Sequence, residues 1–585
     1  MPKVRLLDDS TINRIAAGEV IDRPASVIKE LIENALDAGA ARIEIEIDGR
    51  SVLRVKDDGC GMTPEDAHTA LQRHATSKIQ TADDLQTIRT MGFRGEALPS
   101  IASVSRLTLT TRSAESEAGI KIVVEGGRIE LSEPVGAPVG TVVEALDLFF
   151  NVPARLKFLK SPATETARIV ETVAKYAIGR PDVSFRLLNG GQEILFTPGQ
   201  SDLITVVAAV WGIETAKSLV ELDETRNGIR VTGLVSPPHA TRATRQNQLF
   251  YVNGRPARNR AMLAALDESY RAITPERRYP SVVLMLEADP SRVDANVHPA
   301  KSEVKFDKES DVFDAIYHAV RNGLLNHGMI PEAVVHRPRS FAFAHQGASI
   351  GKEELDALFG RPAGIQPGSP LPPDPSDPFA DPQLAPAHLP FGDLLDELRI
   401  LGQVQETFIV ASTASGIVII DQHVAHERVL YELFSGYQGS APVPRQYLLA
   451  PQSLQLDRRA AVMMEETLPE LARLGFELEP FGDGAYLVRS VPTALANKDY
   501  LKSLKEIVEE LTEMSGGKKI AVAQDQVWIM SACKMAVKAG DPLNLPEMTK
   551  LIQDLAKTEN PYLCPHGRPI TLKIGWDELE RRFKR

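Results

Sequence analysis

Ten of the thirty residues from 361 to 390, "RPAGIQPGSPLPPDPSDPFADPQLAPAHLP", are proline, out of forty in the whole chain. Proline fixes φ and donates no backbone hydrogen bond, so this stretch builds neither helix interior nor central strand and reads as an extended linker. Its flanks also lack periodic apolar pattern, which widens the break to residues 335–395. A chain interrupted in this way cannot share one core. Its 585 residues form two folded arms on a tether, and at roughly 150 residues per domain they hold three or four domains. As a flexible coil such a tether spans roughly 40 Å, and more if polyproline-like.

The charge balance narrows the partners. A net charge of −12 excludes a chain that coats nucleic acid by charge alone, leaving local basic patches and weak, non-specific, salt-dependent binding of double-stranded DNA. The start, "MPKVRLLDDS", has no apolar signal region, and no run approaches the roughly 20 apolar residues of a membrane span. The expectation is a cytoplasmic protein without a membrane partner. Three cysteines, Cys60, Cys533 and Cys564, make no disulfide framework and fit a reducing compartment.

The first arm alternates helices and strands, which predicts an α/β (α+β) sandwich with an antiparallel or mixed sheet. "SVIKELIENALDAGA" is a helix with Val27, Ile28, Leu31, Ile32, Ala35 and Leu36 on its apolar side and Gly39 as its stop. "RIEIEID" and "SVLRVKDDG" are strands, and "IKIVVEGGRIEL" is a hairpin turning at Gly126 and Gly127. A second α/β unit starts near residue 216, with strands such as "GIRVTGLVS", "NQLFYVNGR" and "YPSVVLMLEAD". The second arm opens on "FIVASTASGIVII", has a helix-rich middle over about 452–515, and returns to strand at "RPITLKI".

Chemistry-bearing residues gather in both arms. Glu30, Asn34 and Asp37 lie four and three residues apart, hence on one stripe of the first helix. A carboxylate there can polarise a water, and an amide oxygen one turn away can hold Mg²⁺. In "DDGCGM", Gly59 and Gly61 let backbone approach a ligand and Asp58 can accept from an exocyclic amine. "RHATSKI" and the glycine-bracketed "GFRGEALPSI" suit a phosphate cradle of backbone N–H groups, although no P-loop is present. In the second arm, "DQHVAHERVLYE" follows an apolar run: Asp421 can cap a helix whose one face carries His423 and Glu427.

These blocks resemble the ATPase superfamily of gyrase, the heat-shock chaperones, histidine kinases and MutL. "INRIAAGEVIDRPASVIKELIENALDAGA", "RHATSKI", "GFRGEAL", "LFFNVPARLKFLK", "YVNGRP" and "NVHPAKSEV" are similar to the MutL family of DNA mismatch-repair proteins across residues 1 to 330. The resemblance implies an ATPase domain at 1–215, a transducer-like α/β domain at 216–334 completing the ATP site, the linker, and a C-terminal α/β dimerisation and endonuclease domain at 396–585. Glu30 would be the general base, Asn34 the magnesium ligand and Asp58 the adenine anchor. Thr76, Ser77, Lys78, Gly92, Phe93, Arg94, Gly95, Glu96 and Ala97 would close over the phosphates. Thr141 would support the base, and Lys301 would reach the γ-phosphate from the second domain. ATP would pair two N-terminal arms, and two tethers would then enclose a duplex.

MutL relatives either recruit nucleases or nick DNA themselves. The nicking kind carries DQHA, two residues, Glu, four residues, Glu; here Val424 replaces Ala while Glu427 and Glu432 keep the spacing. "SACK" at 531–534, "CPHGRP" at 564–569 and "FKR" at 583–585 extend the match, Lys534 standing where relatives often have Arg. The resemblance implies that His423, Glu427, Cys533, Cys564 and His566 form one or two sites for Zn²⁺ and/or Mn²⁺, with Asp421 needed for cutting. Thiolate, imidazole and carboxylate together suit such a borderline metal.

"QYLLAP" resembles the motif by which such nucleases dock on the replication sliding clamp, with Gln446 in a polar subsite and Leu448 and Leu449 in an apolar one. Arg255, Arg258 and Arg260, and the cluster "RATRQ", are candidate DNA phosphate contacts. A homodimer working with a mismatch-sensing MutS-type protein and the clamp, nucleoid-associated during repair, completes the expectation. The alternatives are an ATP-dependent matchmaker that makes no cut, and a chaperone or topoisomerase-like ATPase; the last lacks a catalytic-tyrosine domain here.

Overall fold

The computed structural model describes residues 21–49, 51–78, 91–92, 95–199, 202–271, 273–274, 278–294, 304–328, 398–436, 443–482, 484–495, 499–514, 531–533, 536–537, 540–564 and 568–583. The expected linker, 335–395, lies outside them. The chain divides into two compact units, Met1–His336 with Leu430–Ala536, and Arg337–Val429 with Val537–Arg585.

The first unit is built around helix α1 (Pro24–Asp37), whose proline at the first position costs no hydrogen bond because that N–H has no helical partner. The helix buries Val27, Ile28, Leu31, Ile32, Ala35 and Leu36, the stripe its period predicts. Beyond it come β1 (Arg42–Asp48), β2 (Val52–Asp57), α2 (Ala97–Ser103), β3 (Arg106–Arg112), β4 (Gly119–Glu125), β5 (Arg128–Val135), β6 (Gly140–Leu146), α3 (Pro162–Gly179), β7 (Ser184–Asn189) and β8 (Gln192–Pro198). The eight strands form one sheet in the order β5-β4-β3-β6-β2-β1-β7-β8. Only β1 and β7 pair in parallel, so the sheet is mixed. Ile43, Ile45, Ile47, Leu53 and Val55 on one face share a core with α1 and α3. That two-layer packing leaves the C-terminal end of α1 beside the turn that follows β2, where Cys60 N–H donates to Ala38 O at 3.0 Å.

A second sheet follows, from β9 (Val220–Arg226), β10 (Ile229–Val235), β11 (Gln248–Val252), β12 (Arg255–Pro256) and β13 (Val282–Glu287), ordered β12-β11-β13-β10-β9. Helices α4 (Arg260–Tyr270) and α5 (Glu309–Asn326) back it and close their own core. It joins the first layer at α3, where Tyr251 OH donates to Lys175 O at 2.6 Å.

In the second unit β14 (Arg399–Val404), β15 (Phe408–Thr413) and β16 (Gly416–Asp421) run antiparallel, and helix α6 (Gln422–Gly436) leaves β16 directly. The chain re-enters the first unit at Leu430, within α6, and continues there as β17 (Arg445–Gln455), α7 (Arg458–Arg473), β18 (Glu477–Gly482), β19 (Ala485–Pro492) and α8 (Tyr500–Met514). The middle read as helix-rich thus also carries a three-stranded sheet, β17-β19-β18. Register shifts on both sides of β19 interrupt the alternation by which such strands are recognised. This layer packs on the N-terminal one through Arg459 to Glu171 at 2.9 Å and Arg242 to Glu509 at 2.6 Å. The chain then returns to the second unit with α9 (Leu545–Ala556) and β20 (Thr571–Gly575), completing the order β14-β15-β16-β20.

Candidate nucleotide and metal sites

The last turn of α1 gathers the chain from both sides of residues 79–90. Lys78 Nζ donates to Asn34 Oδ1 at 3.0 Å and to Asp37 Oδ2 at 2.5 Å. The N–H groups of Met91 and Gly92 donate to the same Asp37 carboxylate at 2.6 and 2.9 Å. Asp37 therefore organises the cradle. An ammonium rests on the amide oxygen to which the resemblance assigns Mg²⁺, an oxygen of the hard kind that Mg²⁺ takes. Thr76 Oγ1 accepts from Lys78 N–H at 3.2 Å, while Ser77 stands exposed. Gly95 holds φ at +63°, and a Cβ there would lie 2.3 Å from Ala75 O, so the two motifs touch only because no side chain intervenes. Glu96 meets His74 at 3.4 Å, and Ala97 opens α2. Phe93, Arg94 and Lys301 lie outside the described residues. Glu30, on the same face one turn before Asn34, pairs with Lys29 at 2.7 Å.

Beside this cradle the two adjacent aspartates separate. Asp58, expected to anchor adenine, spends its Oδ1 on the N–H groups of Ala41 and Arg42, both at 2.8 Å, and is exposed. The inward carboxylate is that of Asp57, which accepts from Gly59 N–H at 3.0 Å and from Thr141 N–H. Burial pushes Asp57 up to about 6, against those two hydrogen bonds. The signal was in the sequence: Leu53, Val55 and Asp57 share parity along β2, so Asp57 falls on the buried face. Thr141 is its partner across β6, 3.0 Å from Thr111 Oγ1. Since Thr111 donates to Gly140 O and accepts from Met62 N–H, Thr141 is the donor in that pair and keeps its oxygen for accepting. Gly59 and Gly61 frame the turn; a Cβ on Gly61, at φ +66°, would lie 2.0 Å from Arg112 O.

In the second unit Asp421 Oδ1 caps α6, accepting from His423 and Val424 N–H at 3.0 Å each. His423 Nδ1 lies 2.8 Å from Val537 O; a carbonyl only accepts, so Nδ1 carries the proton and Nε2 keeps its lone pair. His426, expected to be a solvated neighbour, instead accepts the N–H of Val537 on Nδ1 at 2.9 Å. The two imidazoles clamp one residue, Val537, one holding its carbonyl and the other its N–H. Glu427 is fully buried, and Arg568 Nη2 reaches its Oε2 at 2.9 Å. Arg568 also closes the loop that begins at Cys564: its N–H points at Cys564 Sγ at 3.4 Å, and its carbonyl accepts Cys564 N–H at 2.9 Å. Sequence reasoning missed Arg568, Val537 and Gln422, whose buried amide donates to Glu406 O and Asp541 O at 2.8 and 3.0 Å. Val424 belongs to the local core. Cys533 lies in helix over the described residues 531–533 of the first unit and is half-buried, as is Glu432 on α6. His566, Lys534 and the last two residues of "FKR" lie outside the described residues.

Of the clamp residues, Gln446 and Leu449 are exposed and Leu448 half-buried; the ladder of β17 jumps from Tyr447 to Gln452, so Leu448 to Pro451 bulge outward. Arg258 and Arg260 are exposed, as phosphate contacts require. Arg255 is turned inward: burial pulls its guanidinium below the ordinary value, opposed by Glu33, Asp37 and Tyr176. Arg242 of "RATRQ" is buried on Glu509, and Arg245 is held by Asp267 at 2.9 Å.

Residues 22–126 match the family described as "Histidine kinase-, DNA gyrase B-, and HSP90-like ATPase", 207–325 "DNA mismatch repair protein, C-terminal domain", and 401–543 "MutL C terminal dimerisation domain". The DNA mismatch repair protein MutL of Symbiobacterium thermophilum is 40% identical over 637 residues, and that of Desulforudis audaxviator 42% over 594; both alignments cover 100% of each chain. Among solved structures, the Aquifex aeolicus MutL ATPase domain complexed with ADP is 34% identical, spanning 46% of this chain and 94% of that one, at a TM-score of 0.37. Among the described residues no helix is long and apolar enough to cross a membrane. With an ATPase module at one end, a MutL dimerisation module at the other and full-length relatives of one name, the chain belongs to the MutL family of DNA mismatch repair proteins.

Proposed function

We propose that this chain couples ATP hydrolysis in its first arm to metal-dependent nicking of DNA by its second, downstream of a mismatch-sensing MutS-type partner. In the first arm, at 1–215 with 216–334, Asp57 accepts the adenine amine in place of Asp58, and Thr141 supports it. Lys78 leaves Asn34 and Asp37 for the phosphates as the loop from Gly92 to Ala97 closes, and Glu30 takes the proton of the attacking water. Mg²⁺ held by Asn34 supplies charge neutralisation on the phosphate oxygens when bound. Phe93, Arg94 and Lys301 join through the resemblance alone.

For the domain at 396–585, the observation that carries the nicking reading is the preparation of His423. Its Nδ1–H is held by Val537 O and its Nε2 lone pair is left for a ligand, the arrangement by which proteins orient metal-binding imidazoles. The thiol-bearing loop from Cys564 is tied to the same helix through Arg568 and Glu427. Histidine nitrogen, thiolate and carboxylate suit Zn²⁺ or Mn²⁺, with Cys533 and His566 the further ligands the family pattern implies. Such an ion supplies a Lewis acid and an activated water at a phosphodiester. Asp421 orients the start of α6 and is the residue whose loss stops cutting.

The homodimer is supported by the four-stranded sheet. One face packs its core, while Val410, Ile417, Ile419, Leu572 and Ile574 lie on the other, with Leu572 60% exposed. The bulge at Leu448 and Leu449, with Gln446 beside it, fits the sliding clamp, and Arg258 and Arg260 fit weak contacts to double-stranded DNA. One observation favours the matchmaker alternative, the engagement of Glu427 by Arg568.

Nicking of supercoiled plasmid with Mn²⁺, with and without clamp, separates the readings. Wild type is expected to nick and Asp421→Asn to fail; an inactive wild type, or an Asp421→Asn that cuts as well, returns the chain to matchmaker. In parallel, Glu30→Ala is expected to keep ATP binding and lose turnover, whereas Asn34→Ala loses both; unchanged turnover in Glu30→Ala removes the base assignment.

A further inference from the structure

Glu33 is a carboxylate with no place in the chemistry above, yet it is 5% exposed and lies one turn from Glu30 on α1. Tyr176 and Lys29 both hold it. Tyr176 of α3 donates its hydroxyl to Glu33 Oε1 at 2.5 Å, and Lys29 Nζ reaches the same oxygen at 2.9 Å. The second hand of Lys29 is on Glu30, at 2.7 Å. This is unusual for a helix. Neighbours such as Lys29 and Glu30 leave the axis about 100° apart and do not face each other, whereas Lys29 and Glu33, four residues apart, do. The lysine stem is thus aligned by Glu33, and its ammonium, with three donors, bridges back to the base.

We propose that Glu33 is a positioning residue for ATP hydrolysis: anchored by Tyr176, it fixes Lys29, and Lys29 holds the Glu30 carboxylate toward the nucleotide. The inference rests on Glu30 being the base. A carboxylate on three rotatable bonds has many orientations, and only those within hydrogen-bond reach of the attacking water are productive. The charges also balance. Glu30 and Glu33 are met by Lys29 and by Arg255, which enters from β12 of the second sheet and whose charge acts on Glu33, Asp37 and Tyr176. Burial of Lys29 works against its charge, and the two acids overcome this, raising its pKa above the ordinary value. A purely structural carboxylate would need only Tyr176 and Lys29; the further bridge from Lys29 to Glu30 is what connects Glu33 to the base.

The test is steady-state ATPase kinetics of the full chain, with ATP-analogue affinity and thermal unfolding measured in parallel. Glu33→Gln keeps the shape and loses the charge that aligns Lys29. It is expected to lower kcat by about tenfold to a hundredfold while leaving analogue affinity and KM within about twofold, the scale of a displaced catalytic group. Tyr176→Phe is expected to act in the same direction more weakly, and Lys29→Arg, which retains a bridging cation, to recover part of what Lys29→Met loses. The proposal is overturned by wild-type kcat in Glu33→Gln, or by a loss of affinity and melting temperature that accounts for the whole drop. Glu30→Ala tells this failure from that of the base: if Glu30→Ala retains turnover the base assignment falls, whereas if it is dead and Glu33→Gln is normal only the positioning role falls.

Discussion

At the scale of single residues, Asp57 and Asp58 carry the same side chain one bond apart and differ in direction. Asp57 lies at the end of β2 on the face of Leu53 and Val55, and burial pushes it up to about 6 from 3.8. The folded arm therefore keeps a proton that the unfolded chain has lost. From this group stability is greatest below pH 4 and falls as pH rises through about 6, by roughly 2–3 kcal/mol when titration is complete. Asp57→Asn, which keeps an acceptor for Gly59 and Thr141, is expected to stabilise the first arm at pH 7 by up to that amount, to flatten its pH slope between 4 and 6, and to abolish ATP binding. Asp58→Asn is expected to bind ATP normally and to lose about 1 kcal/mol with the weakened hydrogen bonds to Ala41 and Arg42. Calorimetric unfolding of both variants across pH, with ATP titration, checks the pair; an Asp57→Asn that binds ATP as wild type does returns the anchor to Asp58. The two glycines of "DDGCGM" mark a turn that a ligand can approach, but which of its aspartates faces inward follows from the parity of β2, where Asp57 shares the face of Leu53 and Val55.

At the scale of elements, the legible parts were those with clean periods. The stripe of α1, the hairpin at Gly126 and Gly127 and the mixed sheet all follow from spacing and turn residues. The sheet of β17, β18 and β19 did not, because its bulges break the alternation that marks a strand. The candidate metal ligands were legible as types, since histidine, cysteine and glutamate stood in matching blocks. What tied them down was not: Arg568 on Glu427 is 141 positions away, and Val537 meets the two imidazoles through its N–H and its carbonyl, backbone atoms that carry no residue signature. A consequence concerns α6. Glu427 is fully buried and Arg568 half-exposed, so Arg568→Gln is expected to lower the stability of the second unit by about 1–3 kcal/mol. It should also loosen the loop at Cys564, lowering zinc retained per chain after dialysis. Unchanged melting and zinc content would mean that Arg568 is incidental to the site.

At the scale of the molecule, the first unit is not made of N-terminal sequence alone. The layer formed by residues 445–514 rests on it through charges taken out of water. Arg242, 10% exposed, meets Glu509, 6% exposed, at 2.6 Å and Asp457 at 3.5 Å; nearby, Arg278 meets Glu506 at 2.5 Å. Burial drives the Glu509 carboxyl upward, and Arg242 first and Lys505 after it oppose this, which makes the two acids tolerable side by side. The sequence could not show this, since "RATRQ" reads there as a candidate DNA phosphate contact and nothing in it pairs residues 267 positions apart. Arg242→Ala leaves Glu509 and Asp457 buried without the cation they touch, Lys505 alone remaining to oppose their charge, and breaking such a buried pair costs about 3–5 kcal/mol. The variant is therefore expected to show faster amide exchange across α7 and α8 and earlier proteolytic cleavage there, while the eight-stranded sheet stays protected. Because reversing both charges restores the pair, Arg242→Glu combined with Glu509→Arg is expected to recover protection that each single reversal loses. Equal exchange in wild type and Arg242→Ala would show instead that apolar packing of α7 on α3 holds the layer, and the ion pairs would then have no part in its docking.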